Sequence, residues 1–184
     1  MSNIYNLKDG RKYIIRDAVP EDASNLIEYL ASVAVESDNL TFGPGELTMT
    51  VDAETKFIEN AVKSSNQYFA VAELKGLIIG SLGFTAGTKP RVAHIGEFGV
   101  SVLKEYWGNG IAHNLISSLI QWAKDGGKIT KINLQVREDN KKAINLYKKF
   151  GFEIEGLIRR SFFIDGEYYN SYQMGKIIEW YEQF

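Results

Sequence analysis

Two glycines between an apolar segment and an amphipathic one form an arrangement that suits a phosphate group. Gly108 and Gly110 lie in a polar turn after the apolar residues Val100 and Val102, and from Ile111 onward apolar residues recur at helical spacing. The start of a helix has backbone N–H groups without partners and carries the positive end of the helix dipole, and glycine lets a ligand come close to the backbone. The turn therefore predicts a pyrophosphate cradle, although glycines that serve only the dihedral angles of a turn would leave the same pattern.

Two common nucleotide-binding motifs do not fit this turn. The dinucleotide fingerprint Gly-x-Gly-x-x-Gly needs a third glycine, but His113 stands at that place, and no acidic residue follows a second strand at the expected distance. A Walker A loop fails as well, because Gly127 and Lys128 are followed by Ile129, and Trp122 stands where the first glycine belongs.

A second segment with chemistry-bearing residues lies at positions 136–152. Asn140 and Tyr147 are seven residues apart, about two helical turns, so they share one face of the predicted helix. Gly151 and Phe152 then open a strand.

Together, residues 102–112 and 136–152 resemble the two signature motifs of the GNAT-type N-acetyltransferases. The resemblance extends over about residues 13–178, and it implies acetyl-CoA as co-substrate and direct attack by a primary amine of a small molecule, polyamine, antibiotic, amino acid or protein N-terminus. Trp107 departs from the family pattern, which has Gln or Arg at this place. The first motif, Gln/Arg-x-x-Gly-x-Gly/Ala, is matched by Trp107, Gly108, Asn109, Gly110, Ile111 and Ala112.

Such a transfer needs a proton acceptor for the attacking ammonium, polarisation of the thioester carbonyl and a donor for the departing sulfur. The resemblance assigns the donor role to Tyr147, because tyrosine donates well and is neutral at pH 7; a tyrosine packed in the core is the alternative. Glu97 is the candidate base, acting through a water, since a carboxylate within an apolar strand is costly unless it lines a cleft or has a partner. We expect Glu97 to be partly buried; a cross-strand ion pair with Arg159 or Arg160 would explain it without catalysis.

The resemblance also implies where the cofactor and the acceptor would lie. Lys104, Lys141 and Lys142 are candidates to screen the phosphates, or solvated surface lysines. The cofactor-binding residues are expected to be Val100 and Val102 through their backbone, Trp107, Gly108, Asn109, Gly110, Ile111, Ala112, Asn140 and Tyr147. The acceptor is expected between the first interhelical loop and the final hairpin, where Glu36, Phe42, Glu46 and Tyr168 place acids beside aromatic rings that suit a cationic amine; solvated acids and packed aromatics are the alternative.

Strands and helices must position these residues. Apolar periodicity predicts strands at 12–17, 68–74, 77–85, 93–102, 132–136, 152–163 and 168–178, with helices over 23–33, 52–63, from 111 to the glycines at 126 and 127, and over 140–150. This order predicts an α/β fold with one mixed, mostly antiparallel sheet of about seven strands and helices on both faces. The resemblance implies that the strands at 93–102 and 132–136 run parallel and splay apart to admit the cofactor.

Composition limits the remaining options. A chain of 184 residues, 45% hydrophobic and 24% charged, is ordinary for one soluble domain over 1–184 with its core at about 13–178. The absence of cysteine excludes disulfides and thiolate chemistry, and His94 and His113 lack metal-ligand spacing, so we expect no metal. A formal net charge of −2 gives no pull toward nucleic acid, and without a signal peptide or membrane span we expect a cytoplasmic protein that does not bind membranes. The aromatic final hairpin is a candidate homodimer contact.

Two other classes of protein remain compatible with the sequence. A catalytically silent acyl-CoA-binding regulatory module would keep both motifs but leave Tyr147 idle. A structural or interaction protein would use the glycine turn only as a turn.

Overall fold

The structure, a computed structural model, describes residues 2–179. Its strands are β1 Ser2–Asn6, β2 Lys12–Asp17, β3 Gln67–Leu74, β4 Leu77–Ala86, β5 Ile95–Val102, β6 Lys131–Arg137, β7 Glu153–Ile164 and β8 Glu167–Ile177. Its helices are α1 Ala23–Glu36, α2 Val51–Lys63, α3 Ile111–Gly126 and α4 Lys141–Lys149, with short 3₁₀ turns at Pro20–Asp22 and Lys104–Tyr106.

The strands form one sheet in the order β1-β2-β3-β4-β5-β6-β8-β7, and all neighbours are antiparallel except β5 and β6. This confirms the predicted mixed, mostly antiparallel sheet. The structure has eight strands within residues 2–179, one more than predicted, because β1 pairs along the edge of β2.

The two parallel strands separate after three residue pairs. Ile95 to Glu97 of β5 pair with Lys131 to Asn133 of β6, and from Phe98 onward β5 pairs only with β4 on its other side. The splay that the family resemblance implied is therefore present, and it leaves one edge of β5 without a neighbouring strand.

Helices cover both faces of the sheet with separate apolar cores. Leu115 of α3 and Tyr147 of α4 belong to the cluster on one face, while Leu26 of α1 and Ile58 of α2 belong to the cluster on the other. None of the helices within residues 2–179 is long and apolar enough to cross a membrane.

The alternation along β5 decides which residues meet which helices. Phe98 packs against Tyr147 of α4, whereas the hydroxyl of Ser101 shares a 2.8 Å hydrogen bond with the hydroxyl of Tyr29 in α1. Because successive side chains point to opposite faces, Glu97 and Gly99 lie on the same side of the sheet as α1 and α2.

Candidate active site

The glycine turn has the geometry that the sequence predicted. Gly108 and Gly110 have φ angles of 78° and 79°, in the left-handed region that glycine adopts without strain. Gly110 is the N-cap of α3, its carbonyl accepts from the N–H of Asn114 at 3.0 Å, and no side chain caps the helix. The N–H groups of the first turn are therefore left without a side-chain partner, as an anion-binding helix start requires.

Asn109 stabilises the turn with its side chain. Its Oδ1 accepts from the backbone N–H of Lys8 at 3.0 Å, and its Nδ2 donates to the carbonyl of Tyr106 at 3.0 Å. Both ends of the amide thus bind the protein, so contact with a ligand at this position falls to the backbone.

Trp107 is anchored to the end of β5. Its indole Nε1 donates to the carbonyl of Val102 at 2.7 Å, while 45% of the residue remains exposed. The tryptophan that replaces the family's Gln or Arg therefore fixes the turn to the strand, and it occupies one acceptor position of the Val102 carbonyl.

A cavity of about 500 Å³ lies beside the glycine turn. Trp107, Asn140 and Glu36 line it, and they come from three segments that are distant in sequence. The lysines at the start of α4, Lys141 and Lys142, also line it, together with Arg137 and the acids Asp38 and Asp139. The structure thereby brings together four predicted cofactor or phosphate residues and one predicted acceptor residue.

Tyr147 lies on the α3 and α4 side of the point where β5 and β6 separate. Its ring contacts the ring of Phe98 edge-on at 5.9 Å, and Phe98 is the first residue of β5 beyond the parallel pairing. The residue is 8% exposed, and its hydroxyl has no hydrogen-bond partner within residues 2–179. Burial raises the pKa of Tyr147 to about 12, so the hydroxyl stays protonated and able to donate at neutral pH.

Asn140 caps the helix that carries Tyr147. Its Oδ1 accepts from the backbone N–H of Ala143 at 3.2 Å, as an N-cap residue does. The helix thus begins one residue later than predicted, with Asn140 as its cap, and the Nδ2 of Asn140 has no partner within residues 2–179.

Glu97 is exposed, and the expectation of partial burial was wrong. It lies beside Thr85 of β4 and Asn133 of β6, at the last pair before the splay, where neither α1 nor α2 covers the sheet. It forms no ion pair with Arg159 or Arg160 in the part of the chain that the structure describes. A role of Glu97 as base is therefore supported by its position at the last pair before the splay, and not by burial.

The four candidate acceptor residues do not form one site. Glu36 lines the cavity, and its Oε2 accepts from the N–H of Lys104 at 2.7 Å. The Oε2 of Glu46 accepts from the N–H of Gly43 at 2.7 Å within its own loop, where Phe42 is half-buried. Tyr168 lies in the final hairpin, with the Arg160 guanidinium 4.7 Å from its ring centroid. Of the four, only Glu36 borders the cavity.

Arg137 is a site residue that the sequence analysis did not single out. It ends β6, is 9% exposed and lines the cavity. Its Nη1 donates to the carbonyl of Asp38 at 3.0 Å, and its Nε and Nη2 donate to the two carboxylate oxygens of Asp139 at 3.0 and 2.5 Å. An arginine at the end of a strand of alternating polar and apolar residues was the only sequence signal, and it does not reveal these partners.

The two histidines lie on separate elements. His113 is exposed on α3 with its ring 4.6 Å from that of Phe150, and the backbone carbonyl of His94 accepts from Thr130 and Lys131. Within residues 2–179 no three His, Asp or Glu side chains are grouped as metal ligands would be.

The family model and a solved structure that match this chain are both described as acetyltransferases. A family model described as the acetyltransferase (GNAT) family matches residues 27–152. A crystal structure described as the acetyltransferase of GNAT family from Streptococcus pneumoniae superposes with a TM-score of 0.88 at 34% identity, over 91% of this chain and 99% of that one.

Two curated relatives are similar over part of their length. An L-amino acid N-acetyltransferase, AaaT, of Escherichia coli K12 is 34% identical over 58% of this chain, and a spermidine N(1)-acetyltransferase of the same strain is 35% identical over 42% of it. The alignments span 66% and 42% of these relatives' own lengths.

Proposed function

The chain belongs to the GNAT family of acetyltransferases, and on that premise we propose that it transfers the acetyl group of acetyl-CoA to a primary amine. The observation that supports the proposal is the contact of the Tyr147 ring with Phe98, the first residue of β5 beyond the parallel pairing, together with a hydroxyl that has no partner within residues 2–179. The helix that carries Tyr147 starts beside the cavity. The names of the two curated relatives, which act on an L-amino acid and on spermidine, support an amine as acceptor.

The cradle at the start of α3 fits the pyrophosphate of CoA. Gly108 and Gly110 offer bare backbone, and the uncapped N–H groups of Ile111 and Ala112 point out of the helix start. The open edge of β5 would hold the pantetheine arm through the backbone of Val100 and Val102, with the Nδ2 of Asn140 as a further donor. Acetyl-CoA would supply the acetyl group as a thioester.

Two side chains flank the splay from opposite faces of the sheet and divide the proton transfers between them. Glu97 accepts a proton from the acceptor ammonium through one water, which frees the nitrogen lone pair to attack. Tyr147 donates its hydroxyl proton toward the sulfur that departs, and its buried position keeps that proton in place at neutral pH. The nitrogen forms a C–N bond to the acetyl carbon, the C–S bond breaks, and the sulfur takes the Tyr147 proton. The nitrogen then loses a second proton, which restores the Tyr147 hydroxyl, while the proton on Glu97 passes to solvent.

The experiment that tests this function measures free thiol released from acetyl-CoA against a panel of polyamines, aminoglycosides, amino acids and short peptides. Turnover on one class is expected, and Tyr147→Phe should lower kcat about a hundredfold while the Kd for CoA stays unchanged. Phenylalanine keeps the contacts with Phe98 and Phe152, so the fold is preserved.

The same assay separates the competing classes of protein. Tight CoA binding without turnover on any amine would indicate a regulatory acyl-CoA-binding module. Absence of CoA binding would overturn the assignment of the glycine turn and, with it, the proposed function.

A further inference from the structure

Glu54 is a buried carboxyl that the proposed chemistry does not use. It lies in the first turn of α2 and is 5% exposed, and its side chain has no hydrogen bond or ion pair within residues 2–179. Burial raises the pKa of the Glu54 carboxyl above its ordinary range. Its oxygens keep some contact with solvent, since the fully buried side-chain N or O atom that lacks a partner within residues 2–179 is Oδ1 of Asn133. A carboxyl that has no protein partner but is reached by solvent is available to a ligand.

Glu54 is turned toward the sheet next to an opening. It lies one helical turn before Phe57 and Ile58, on the same face of α2. The ring of Phe57 meets the ring of Phe69 of β3 at 5.7 Å, yet 43% of Phe57 is exposed. The edge of this face at Phe57 is therefore open to solvent beside Phe69, while Ile58 is fully buried.

A floor of bare backbone continues from Phe69 toward the splay. Gly83 of β4 pairs with Gly99 of β5, and both lie on the α1 and α2 side of the sheet. A Cβ on Gly99 would meet nothing within 4 Å, and one on Gly83 would meet only the Phe69 ring at 3.9 Å. We call the floor of Gly83 and Gly99 the trough. The exposed Glu97, two residues before Gly99, lies at one end of it, and the rings of Phe69 and Phe57, one helical turn from Glu54, lie at the other.

The basic residues beside the trough are already paired. On the same face of β6, Lys131 binds Glu155 at 2.8 Å and Arg137 binds Asp139 at 2.5 Å. Lys131 and Arg137 are therefore not available to bind an acceptor that carries a carboxylate. Glu54 has no partner within residues 2–179 and is available to bind an acceptor that carries a second positive charge.

We propose that the trough over Gly83 and Gly99 binds the acceptor and that Glu54 binds its second cationic group, which makes the acceptor a linear diamine or polyamine. This inference rests on the proposed acetyltransferase function. The amine that reacts lies at Glu97. The methylene chain of the acceptor crosses the trough past the rings of Phe57 and Phe69. Strands β3 and β5 are two strand spacings apart, about 10 Å, which a linear chain of about eight methylene groups can span.

The test compares diaminooctane with octylamine, which differ only in the second ammonium. We expect kcat/KM for diaminooctane to exceed that for octylamine by about tenfold or more in the wild type, the ratio that one added charge-assisted contact gives. Glu54→Gln keeps the shape but removes the charge, and should abolish the preference while leaving octylamine unchanged. Glu59→Gln, on the exposed side of the same helix, is the matched control and should retain it.

A second variant keeps the test decisive if Glu54→Gln does not fold. Gly99→Val fills the open floor, and it should raise KM for both amines while CoA binding is preserved, because no atom lies within 4 Å of the new Cβ. Equal kcat/KM for the two amines in the wild type, a preference that survives Glu54→Gln, or an unchanged KM in Gly99→Val would overturn the inference and leave the acetyltransferase function standing. Failure of the wild type to acetylate any amine would instead overturn the proposed function.

Discussion

The two residues assigned to proton transfer differ in their surroundings in a way that suits their roles. Tyr147 is enclosed by Phe98 and Phe152, so deprotonation is disfavoured and the hydroxyl remains a donor. Glu97 lies in the open on the opposite face of the sheet, where water can stand between its carboxylate and an incoming ammonium. In the proposed mechanism, a buried donor and a solvated acceptor on opposite faces of the sheet would allow both proton transfers at neutral pH.

The role of Glu97 can be tested through the pH dependence of its loss. Glu97→Gln removes the proton acceptor, so kcat/KM should fall about tenfold to a hundredfold at neutral pH. The loss should shrink as the pH rises toward about 10, because the free amine then loses its proton to solution. The measurement is the pH profile of kcat/KM for wild type and variant. Glu153→Gln, which changes an exposed acid on β7, is the control.

A loss that stays constant across the pH range would mean that Glu97 binds the acceptor rather than deprotonates it. At this scale the sequence predicted the helix that carries Tyr147, because apolar residues at helical spacing determine it. It did not predict the exposure of Glu97, which depends on whether a helix covers that row of the sheet. Nor did it single out Glu54, because an acid in the first turn of a helix is usually there to complement the dipole.

At the scale of elements, the glycine turn is hydrogen-bonded to the hairpin of β1 and β2, and β1 was not predicted from the sequence. β1 and β2 are joined by a turn in which the N–H of Lys8 donates to Asn109. β1 is a short edge strand, and its one large aliphatic side chain, Ile4, is 70% exposed, so it has no alternation of buried and exposed residues to detect. Strands β2 to β6 and β8 were predicted to within a few residues because each contains buried residues. Strand β7 contains none and was predicted as one half of the final hairpin.

The contribution of this support can be measured at Asn109. Asn109→Ala removes the hydrogen bonds to Lys8 and Tyr106, so the turn should lose order before it binds phosphate. We expect the Kd for CoA to rise about threefold to tenfold while kcat at saturating acetyl-CoA is unchanged, since about 1 kcal/mol is a typical loss for such bonds. Calorimetric titration with CoA checks this, with Asn60→Ala on the exposed face of α2 as control.

The opposite result, a lower kcat with an unchanged Kd, would show that Asn109 does not organise the phosphate cradle.

Trp107 is a second residue of this turn whose partner the sequence could not predict. Its departure from the family pattern was visible, but the bond from its indole to Val102 requires the turn to fold back on the strand, which no local pattern specifies.

At the scale of the whole molecule, Arg137 connects three parts of the chain, two of which line the cavity. It binds the carbonyl of Asp38 after α1 and the carboxylate of Asp139 before α4, and its guanidinium carbon lies 4.0 Å from the ring centroid of Tyr169 in β8. Since these partners are separated by up to about a hundred residues, only the completed sheet brings them together. The family resemblance predicted the splay and the cradle, but it contained no information on this connection.

Arg137→Met should weaken the connection without leaving a buried charge. Methionine retains an apolar stem against Tyr169, and the released Asp139 carboxylate is 51% exposed and can be solvated. We therefore expect the free energy of unfolding to fall by about 2 kcal/mol at pH 7, the usual value of hydrogen bonds to a charged group. The KM for acetyl-CoA should rise because the wall of the cavity loosens. Arg159→Met, at an exposed arginine without partners in residues 2–179, should change neither quantity.

The pH dependence gives a second, independent check on Arg137. Its hydrogen bonds to Asp139 hold the pKa of that carboxyl below its ordinary value of 3.8. A carboxyl with a lowered pKa in the folded state stabilises the protein above its unfolded pKa, and this contribution is lost as the pH falls through the folded pKa. The difference in unfolding free energy between wild type and Arg137→Met should therefore be largest at neutral pH and shrink below about pH 4. Denaturant unfolding at several pH values measures it, and a difference that does not change with pH would show that packing against Tyr169, rather than the ion pair, connects these segments.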